Sequence, residues 1–226
     1  MSAERTQSIV LRRVNYGEAD RILTLMTPGG QRSVIARGAR REKSKLAGGI
    51  ELFTVSDVVI QQGRGDLGIL SQVRPVRFYS HILDDYDRLQ FGYEVIRVAA
   101  KASEHVDEPE WYGVLSEVYA ALDVLTIPLR LVETWFYVHY AELTGYELNL
   151  RADVVGRLLE PEKTYMYDIA ERGLRHAEQG DITADHIKLL RLIASRSIQT
   201  IVQVGGIEHI LPAIWLVARQ HAALEQ

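Results

Sequence analysis

The pattern of hydrophobic and polar positions divides the chain into two parts that meet near residue 79. Before that point, short runs rich in β-branched residues alternate in the way that half-buried strands do. These runs predict five strands, over residues 8–14, 21–27, 32–37, 51–62 and 67–78. Pro28-Gly29-Gly30 and Gly63-Arg64-Gly65-Asp66 predict tight hairpins, because proline fixes φ and glycine tolerates positive φ.

Five short strands in fewer than 80 residues indicate a small closed barrel, which leaves no sheet edge exposed. An OB-fold and an SH3-like barrel both fit this number of strands. The alternation alone does not separate the two folds.

From residue 80 onward the hydrophobic period is that of helices, and Leu89, Tyr93, Ile96 and Ala100 predict one helix face. Pro128 suits the first turn of a helix that is apolar around most of its girth, which is typical of the centre of a bundle. We predict helices over residues 111–125, 129–144, 165–179, 183–204 and 207–224, and irregular structure over residues 148–164. The predicted fold class is therefore a two-domain β + α protein, with a barrel (residues 1–79) followed by an α-helical bundle (residues 80–226).

Composition narrows the class of protein. The 226 residues, 47% hydrophobic and 25% charged, suit one large or two small globular domains. The absence of cysteine excludes disulfides, thiol nucleophiles and thiolate zinc sites. We expect neither a secretory leader nor a membrane span, since the longest uncharged apolar stretch covers only residues 210–217, and we expect a cytoplasmic location.

The net charge of −4 is unevenly distributed along the chain. Residues 1–80 hold 13 Lys and Arg against 7 Asp and Glu, whereas residues 81–226 hold 13 against 23. This asymmetry indicates that the first part meets a polyanion, although an accidental surface bias would look the same.

Motifs for enzyme chemistry are missing from the sequence. The seven histidines are scattered, and no phosphate-binding glycine loop or nucleophile elbow is present. Asp84, Asp85 and Asp87 could bind a divalent ion, but carboxylates at the start of a helix ordinarily stabilise its dipole. We expect no catalytic residue, no metal site and no cofactor.

Basic residues of the predicted barrel give the positive indication. Arginine and lysine on a rigid sheet, with a mobile basic loop above it, form a good phosphate-binding surface. Aromatic residues are sparse here, so we expect base stacking to contribute less than phosphate contacts. Solvated surface cations are the alternative interpretation. The predicted nucleic-acid-binding residues are Arg12, Arg13, Arg21, Arg32, Arg37, Arg40, Arg41, Lys43, Lys45, Arg64, Arg74 and Arg77.

Several stretches of this part resemble the opening of the bacterial RecO family, whose members are recombination mediators of DNA repair. The resemblance lies in Ile9-Val10-Leu11, in YGEADRILTLMT at residues 16–27, in ARGARREKSKL at residues 36–46 and in IELF at residues 50–53. It continues more weakly through the helices as far as Leu143-Thr144-Gly145-Tyr146. The resemblance implies that the barrel is an OB-fold.

The same resemblance implies a function without nucleotide hydrolysis. RecO-like proteins bind single- and double-stranded DNA, anneal complementary strands and, with RecR, help to load RecA onto DNA coated by the single-stranded-DNA-binding protein. They recognise the acidic tail of that coating protein through the helical domain, for which we consider Lys188, Arg191 and Arg196 on the predicted helix over residues 183–204. We then expect a nucleoid-associated protein.

The sequence departs from the family in one feature, the zinc module, and it also fits two other functions. Many family members carry a four-cysteine zinc module, but residues 149–165 contain no cysteine, so zinc is not carried over. An RNA-binding OB protein, or an adaptor whose basic barrel binds an acidic protein, are the alternative functions.

Overall fold

The structure is a computed structural model that describes residues 3–63, 65, 67–104 and 109–222. Five strands form a closed barrel in the order β1-β2-β3-β5-β4, with one parallel contact, between β3 and β5. This order is that of an OB-fold, so the predicted fold class is confirmed and the SH3-like alternative is set aside. The strands are β1 (Ala3–Tyr16), β2 (Asp20–Thr27), β3 (Gly30–Ala36), β4 (Thr54–Gln61) and β5 (Leu67–Phe78).

Strand β1 is longer than predicted because it serves two neighbours. Its first half pairs with β4, from Ala3 opposite Gln61 to Ile9 opposite Val55. Its second half pairs with β2, from Ile9 opposite Met26 to Tyr16 opposite Asp20, with a register irregularity between Val10 and Arg12. One bent strand thereby closes the barrel.

The barrel interior is aliphatic and is sealed at one end by the long connection between β3 and β4. Ala39 and Ile50 of that connection are buried in the same core as strand residues. The buried strand residues of this core are Val10, Leu23, Leu25, Val34, Ala36, Val58, Ile60 and Leu70.

Two helices pack on the outside of the barrel, α1 (Tyr86–Ala102) against β1 and α2 (Glu110–Leu122) against β1, β2 and β3. Asp85 caps α1, since its Oδ1 accepts the Arg88 N–H at 3.0 Å. The acidic cluster at this position thus acts on the helix N-terminus, as the dipole interpretation predicts. The buried Arg88 guanidinium donates to the Leu122 carbonyl at 3.1 Å and so ties α1 to the end of α2.

The face that α1 buries matches the predicted one only in part. Ile96 of the predicted face is buried, whereas Tyr93 is 45% exposed, and the buried face also includes Phe91, Gly92 and Val95. The physical reason is the Phe53 ring, which lies so close to Gly92 that an added Cβ would meet its Cε1 at 2.7 Å.

The chain forms two compact units, Met1–Asp123 and Val124–Gln226, and α1 and α2 belong to the first. The boundary predicted after residue 79 marks the place where strands give way to helices. As a boundary between separately folding domains it stays a prediction.

The second unit is a helical bundle with a small hairpin. Helix α3 (Leu129–Leu143) begins after Pro128 as predicted and packs against α6 (Leu211–Ala222). The predicted irregular stretch over residues 148–164 contains no helix or strand. The two shorter helices are α4 (Ala184–Ile193) and α5 (Ile198–Ile201).

Two helix predictions in this unit are wrong. Residues 165–179 form the hairpin β6 (Tyr165–Asp168) and β7 (Gly173–His176), because the Tyr165 backbone exchanges hydrogen bonds with Ile182 as well as pairing with His176. The helix predicted over residues 183–204 breaks after α4, where Ser197 caps the separate helix α5.

Candidate nucleic-acid interface

The basic loop, which we define as residues 37–49, lies beside the turn that joins β1 to β2. The Arg40 N–H donates to the Ala19 carbonyl at 2.8 Å, and the Gly38 N–H donates to Asp20 Oδ1 at 2.7 Å. Further along, the Ser56 hydroxyl donates to the Gly49 carbonyl at 2.8 Å. The loop expected to be mobile is therefore fastened near both of its ends.

The cations of the basic loop point into solvent. Within the described part of the chain, none of them forms an ion pair with a carboxylate. To the residues that the structure describes, only the Arg40 side chain of these cations donates a hydrogen bond, from Nη1 to the Gly17 carbonyl at 3.3 Å, and this bond leaves its charge uncompensated. An arrangement of unpaired charges on a fixed backbone suits phosphate groups. These exposed cations are Arg37, Arg40, Arg41, Lys43 and Lys45.

Arg13 and Arg21 form a second basic group around Glu51, which lies two residues past the loop. Arg13 Nη1 is in close contact with one carboxylate oxygen of Glu51, and Arg21 Nη1 lies 3.8 Å from the other. One carboxylate thus orients two half-buried guanidinium groups. The cluster keeps a net positive charge next to the basic loop.

The other predicted residues lie in different places on the barrel. Arg12 is exposed on the neighbouring part of β1. Arg32 lies on β3, five residues before Arg37 of the basic loop and so roughly 17 Å from it along the strand direction. Arg64 lies outside the described residues.

Two arginines of β5 are already paired with carboxylates. Arg74 Nη2 lies 2.6 Å from Asp57 Oδ2, and this hydrogen bond lowers the pKa of the Asp57 carboxyl. Arg77 lies 3.5 Å from Asp123 Oδ2 and stacks over the Tyr79 ring at 4.6 Å. The structure therefore brings together the basic loop with Arg13 and Arg21, whereas Arg74 and Arg77 are largely compensated.

Of the three residues considered for an acidic tail, Lys188 and Arg191 lie on α4, and the break after α4 separates Arg196 from them. Lys188 pairs with Asp185 at 3.0 Å, and the Arg191 guanidinium donates to the Leu150 carbonyl at 2.7 Å and 3.1 Å. Arg191 also lines a groove of about 780 Å³ that includes Leu148 and Leu150. Arg196 is exposed in the link between α4 and α5.

Comparison with known proteins finds relatives whose similarity includes the barrel and its basic loop. The family model described as "Recombination protein O N terminal" matches residues 1–79, the barrel strands. A "DNA repair protein RecO" of Bifidobacterium longum is 32% identical over 165 residues, which cover 71% of this chain and 69% of the relative. The chain belongs to the RecO family.

Two further RecO relatives show how far the similarity extends. The "DNA repair protein RecO" of Dehalococcoides mccartyi is 29% identical over 226 residues, covering 95% of this chain and 87% of the relative. That of Roseiflexus sp. is 33% identical over 150 residues, covering 65% of this chain. The matched stretch spans only 51% of the Roseiflexus protein's length.

The zinc module that the RecO family implies does not fit the residues of this chain. No cysteine is present, and the described residues contain no group of three or more potential ligands that could hold a metal ion. Asp153, largely buried in the corresponding stretch, accepts the backbone N–H groups of Val155 at 3.0 Å and Arg157 at 2.9 Å. Hydrogen bonds that the Asp153 carboxylate accepts from the backbone thus shape this turn.

Among the described residues, no helix is long and apolar enough to cross a membrane.

Sequence reasoning missed the acidic partners of the basic surface. Glu51 and Asp123 lie far in sequence from Arg13 and Arg77, so only the closed barrel and the packing of α2 reveal these pairs. The exposed ring of Tyr16 lies beside the loop, and its position at the end of an alternating strand is a sequence signal for that exposure.

Proposed function

We propose that this RecO-family chain is a DNA-binding recombination mediator in DNA repair, acting near the nucleoid. Its first unit holds single- and double-stranded DNA and anneals complementary strands, and together with RecR it assists the loading of RecA onto coated single-stranded DNA. The observation that carries this proposal is the basic loop, with five exposed and uncompensated cations fastened to an OB barrel.

Annealing of two strands requires no catalytic group in this proposal. Two phosphate backbones repel each other, and a surface with surplus Lys and Arg screens that repulsion while it holds both strands close. Residues 81–226 carry a net negative charge, which confines the nucleic acid to the barrel side. No nucleotide hydrolysis enters the reaction.

We place the acidic tail of the single-stranded-DNA-binding protein on the second unit. Arg191 and the groove beside it, whose lining includes Leu148 and Leu150 as well as polar residues, support this assignment, because an acidic peptide with an apolar end needs a cation next to some apolar surface. Lys188 and Arg196 are the other contributors. Replacing Arg191 by alanine should weaken binding of a synthetic acidic tail peptide and leave DNA binding unchanged.

The proposal is tested by the anisotropy of a labelled single-stranded DNA oligomer, titrated with protein over a series of salt concentrations. With about 4–6 phosphates contacted, the logarithm of the association constant should fall with the logarithm of salt with a slope of about −3 to −4. Replacing Arg40, Arg41, Lys43 and Lys45 by alanine should weaken binding and reduce the slope by about 0.7 for each phosphate that the variant no longer binds. The melting temperature should change little, since these side chains are exposed.

A matched control separates the position of the charges from their number. The double variant K43A/K45A removes two cations from the loop, and R97A/K101A removes two exposed cations from α1. Only the loop variant should weaken binding markedly. Equal losses would contradict the loop assignment, and binding to an RNA oligomer or an acidic protein in preference to DNA would favour the alternative functions.

A further inference from the structure

The aromatic residues of the barrel strands and their connections differ in what covers them. Phe53 and Tyr79 are buried against rings of the packed helices, with Phe53 5.4 Å from Tyr93 and Tyr79 5.6 Å from Tyr119 between ring centroids. Phe78, the last residue of β5, is 49% exposed, and Tyr16 is 55% exposed and has no ring, hydrogen-bond or ion-pair partner within the described part of the chain. Its ring is available to a ligand.

Tyr16 lies where the basic loop is fastened to the barrel. It is the last residue of β1 and pairs with Asp20 across the turn that begins at Gly17. Asp20 accepts the Gly38 N–H, and Arg40 donates to the Gly17 carbonyl, so loop contacts are made on the residues directly around Tyr16. The exposed ring and the unpaired cations therefore share one surface.

The strand extends this surface away from the loop. Arg12, Val14 and Tyr16 alternate along β1 and therefore lie on one face, opposite Thr24, Ile22 and Asp20 of β2. Val14 is 42% exposed and Arg12 is exposed. This row could contact three successive parts of a DNA strand: the Tyr16 ring a base, the Val14 side chain the adjacent base, and the Arg12 guanidinium a phosphate.

We propose that Tyr16 stacks on an unpaired base, with Val14 supporting an adjacent base, and that this contact makes the barrel favour single-stranded over double-stranded DNA. The inference rests on the proposed DNA binding and adds the source of strand selectivity. An unpaired base has a free π-face for the ring, whereas bases in a duplex are already stacked on each other. Phosphate contacts by the loop are open to both forms and do not depend on an unpaired base.

The experiment compares Tyr16→Ala and Tyr16→Phe with the native chain on three ligands: a single-stranded oligomer, an abasic oligomer of equal length, and a duplex. Removing one stacking interaction should weaken binding of Tyr16→Ala to the base-containing strand by roughly five- to hundredfold. Binding to the abasic strand and the duplex, and the slope against salt, should stay unchanged. Tyr16→Phe should bind like the native chain, because the ring remains.

The control is Tyr86→Ala, which removes an aromatic residue that is 74% exposed and belongs to α1 rather than to a barrel strand. It should not alter binding to any of the three ligands. Equal losses of Tyr16→Ala on all ligands, or no loss on the base-containing strand, would overturn the stacking assignment. If the native chain fails to bind DNA, or the loop variants bind as tightly as it does, the proposed function itself fails, whatever Tyr16→Ala does.

Discussion

Phe53 shows how one residue sets the packing between the barrel and its helices. It adopts a left-handed backbone conformation, with φ 58°, just before β4, and its side chain is only 2% exposed. Its ring lies against Tyr93, Tyr119 and the backbone at Gly92. The helical period alone could not place Gly92 at the centre of the buried face, because the reason lies in a ring 39 positions earlier in the chain.

Gly92→Ala should destabilise the first unit. The new Cβ would stand 2.7 Å from Phe53 Cε1, so the ring or the helix must shift, at a cost of about 1–3 kcal/mol in the free energy of unfolding. The control is Gly113→Ala on α2, where an added Cβ meets nothing within 4 Å. That substitution should leave stability unchanged or raise it by up to about 1 kcal/mol, since alanine favours the helix. Chemical denaturation measures both, and equal effects would contradict the packing argument.

At the scale of elements, the sequence correctly predicted those strands, turns and helix ends that depend on local patterns. Strand alternation, the Pro28-Gly29 turn and Pro128 at the start of α3 are local signals, and the corresponding elements are present. The β6–β7 hairpin was missed because each strand has four residues, too few to show a period, and because the backbone bonds between Tyr165 and Ile182 form only in the folded unit. Likewise, the basic loop was predicted as a candidate site, but its fastening to Asp20 and Ala19 requires the folded barrel.

The hairpin is joined to α6 through a buried histidine. His221 is 4% exposed, its Nε2 donates to the Tyr146 carbonyl at 2.5 Å, and its Nδ1 lies 2.9 Å from the Tyr167 hydroxyl on β6. The Arg172 guanidinium donates to the His221 carbonyl at 2.8 Å. The neutral ring satisfies these contacts, and burial lowers the pKa of His221.

This arrangement predicts an acid-sensitive second unit. Because the pKa of His221 is lower in the folded state, the unfolded chain takes up a proton first, and stability falls as pH drops below about 6.5. The free energy of unfolding falls by at most about 1.4 kcal/mol per pH unit, and it stops falling once the pH is below the pKa of His221 in the folded state. His221→Gln should show a smaller difference in unfolding free energy between pH 7.5 and pH 5.5 than the native chain.

The exposed His209 provides the control for this measurement. His209→Gln should retain the full native pH dependence. The lowered pKa of His186 adds a change of the same sign in every one of these proteins, so it cancels in the comparison. An unaltered pH dependence in His221→Gln would contradict the role of the buried ring.

At the scale of the whole molecule, the chain should fold without metal. It contains no cysteine, and the Asp153 turn is formed by hydrogen bonds to backbone N–H groups. Metal analysis of the dialysed protein should find no stoichiometric zinc, and EDTA should leave the melting temperature unchanged. One zinc ion per chain that survives dialysis would reveal a site built from histidine and carboxylate.

The bent strand β1 also sets an order of events during synthesis. Its second half can pair with β2 as soon as that neighbour leaves the ribosome, and β3 can follow. Its first half must wait for β4, since Ala3 finds its partner only at Gln61, and β5 arrives later still. Until then the nascent chain carries an open β-sheet with bare edges, so the slow and aggregation-prone stage of its folding should end only when residue 78 has emerged.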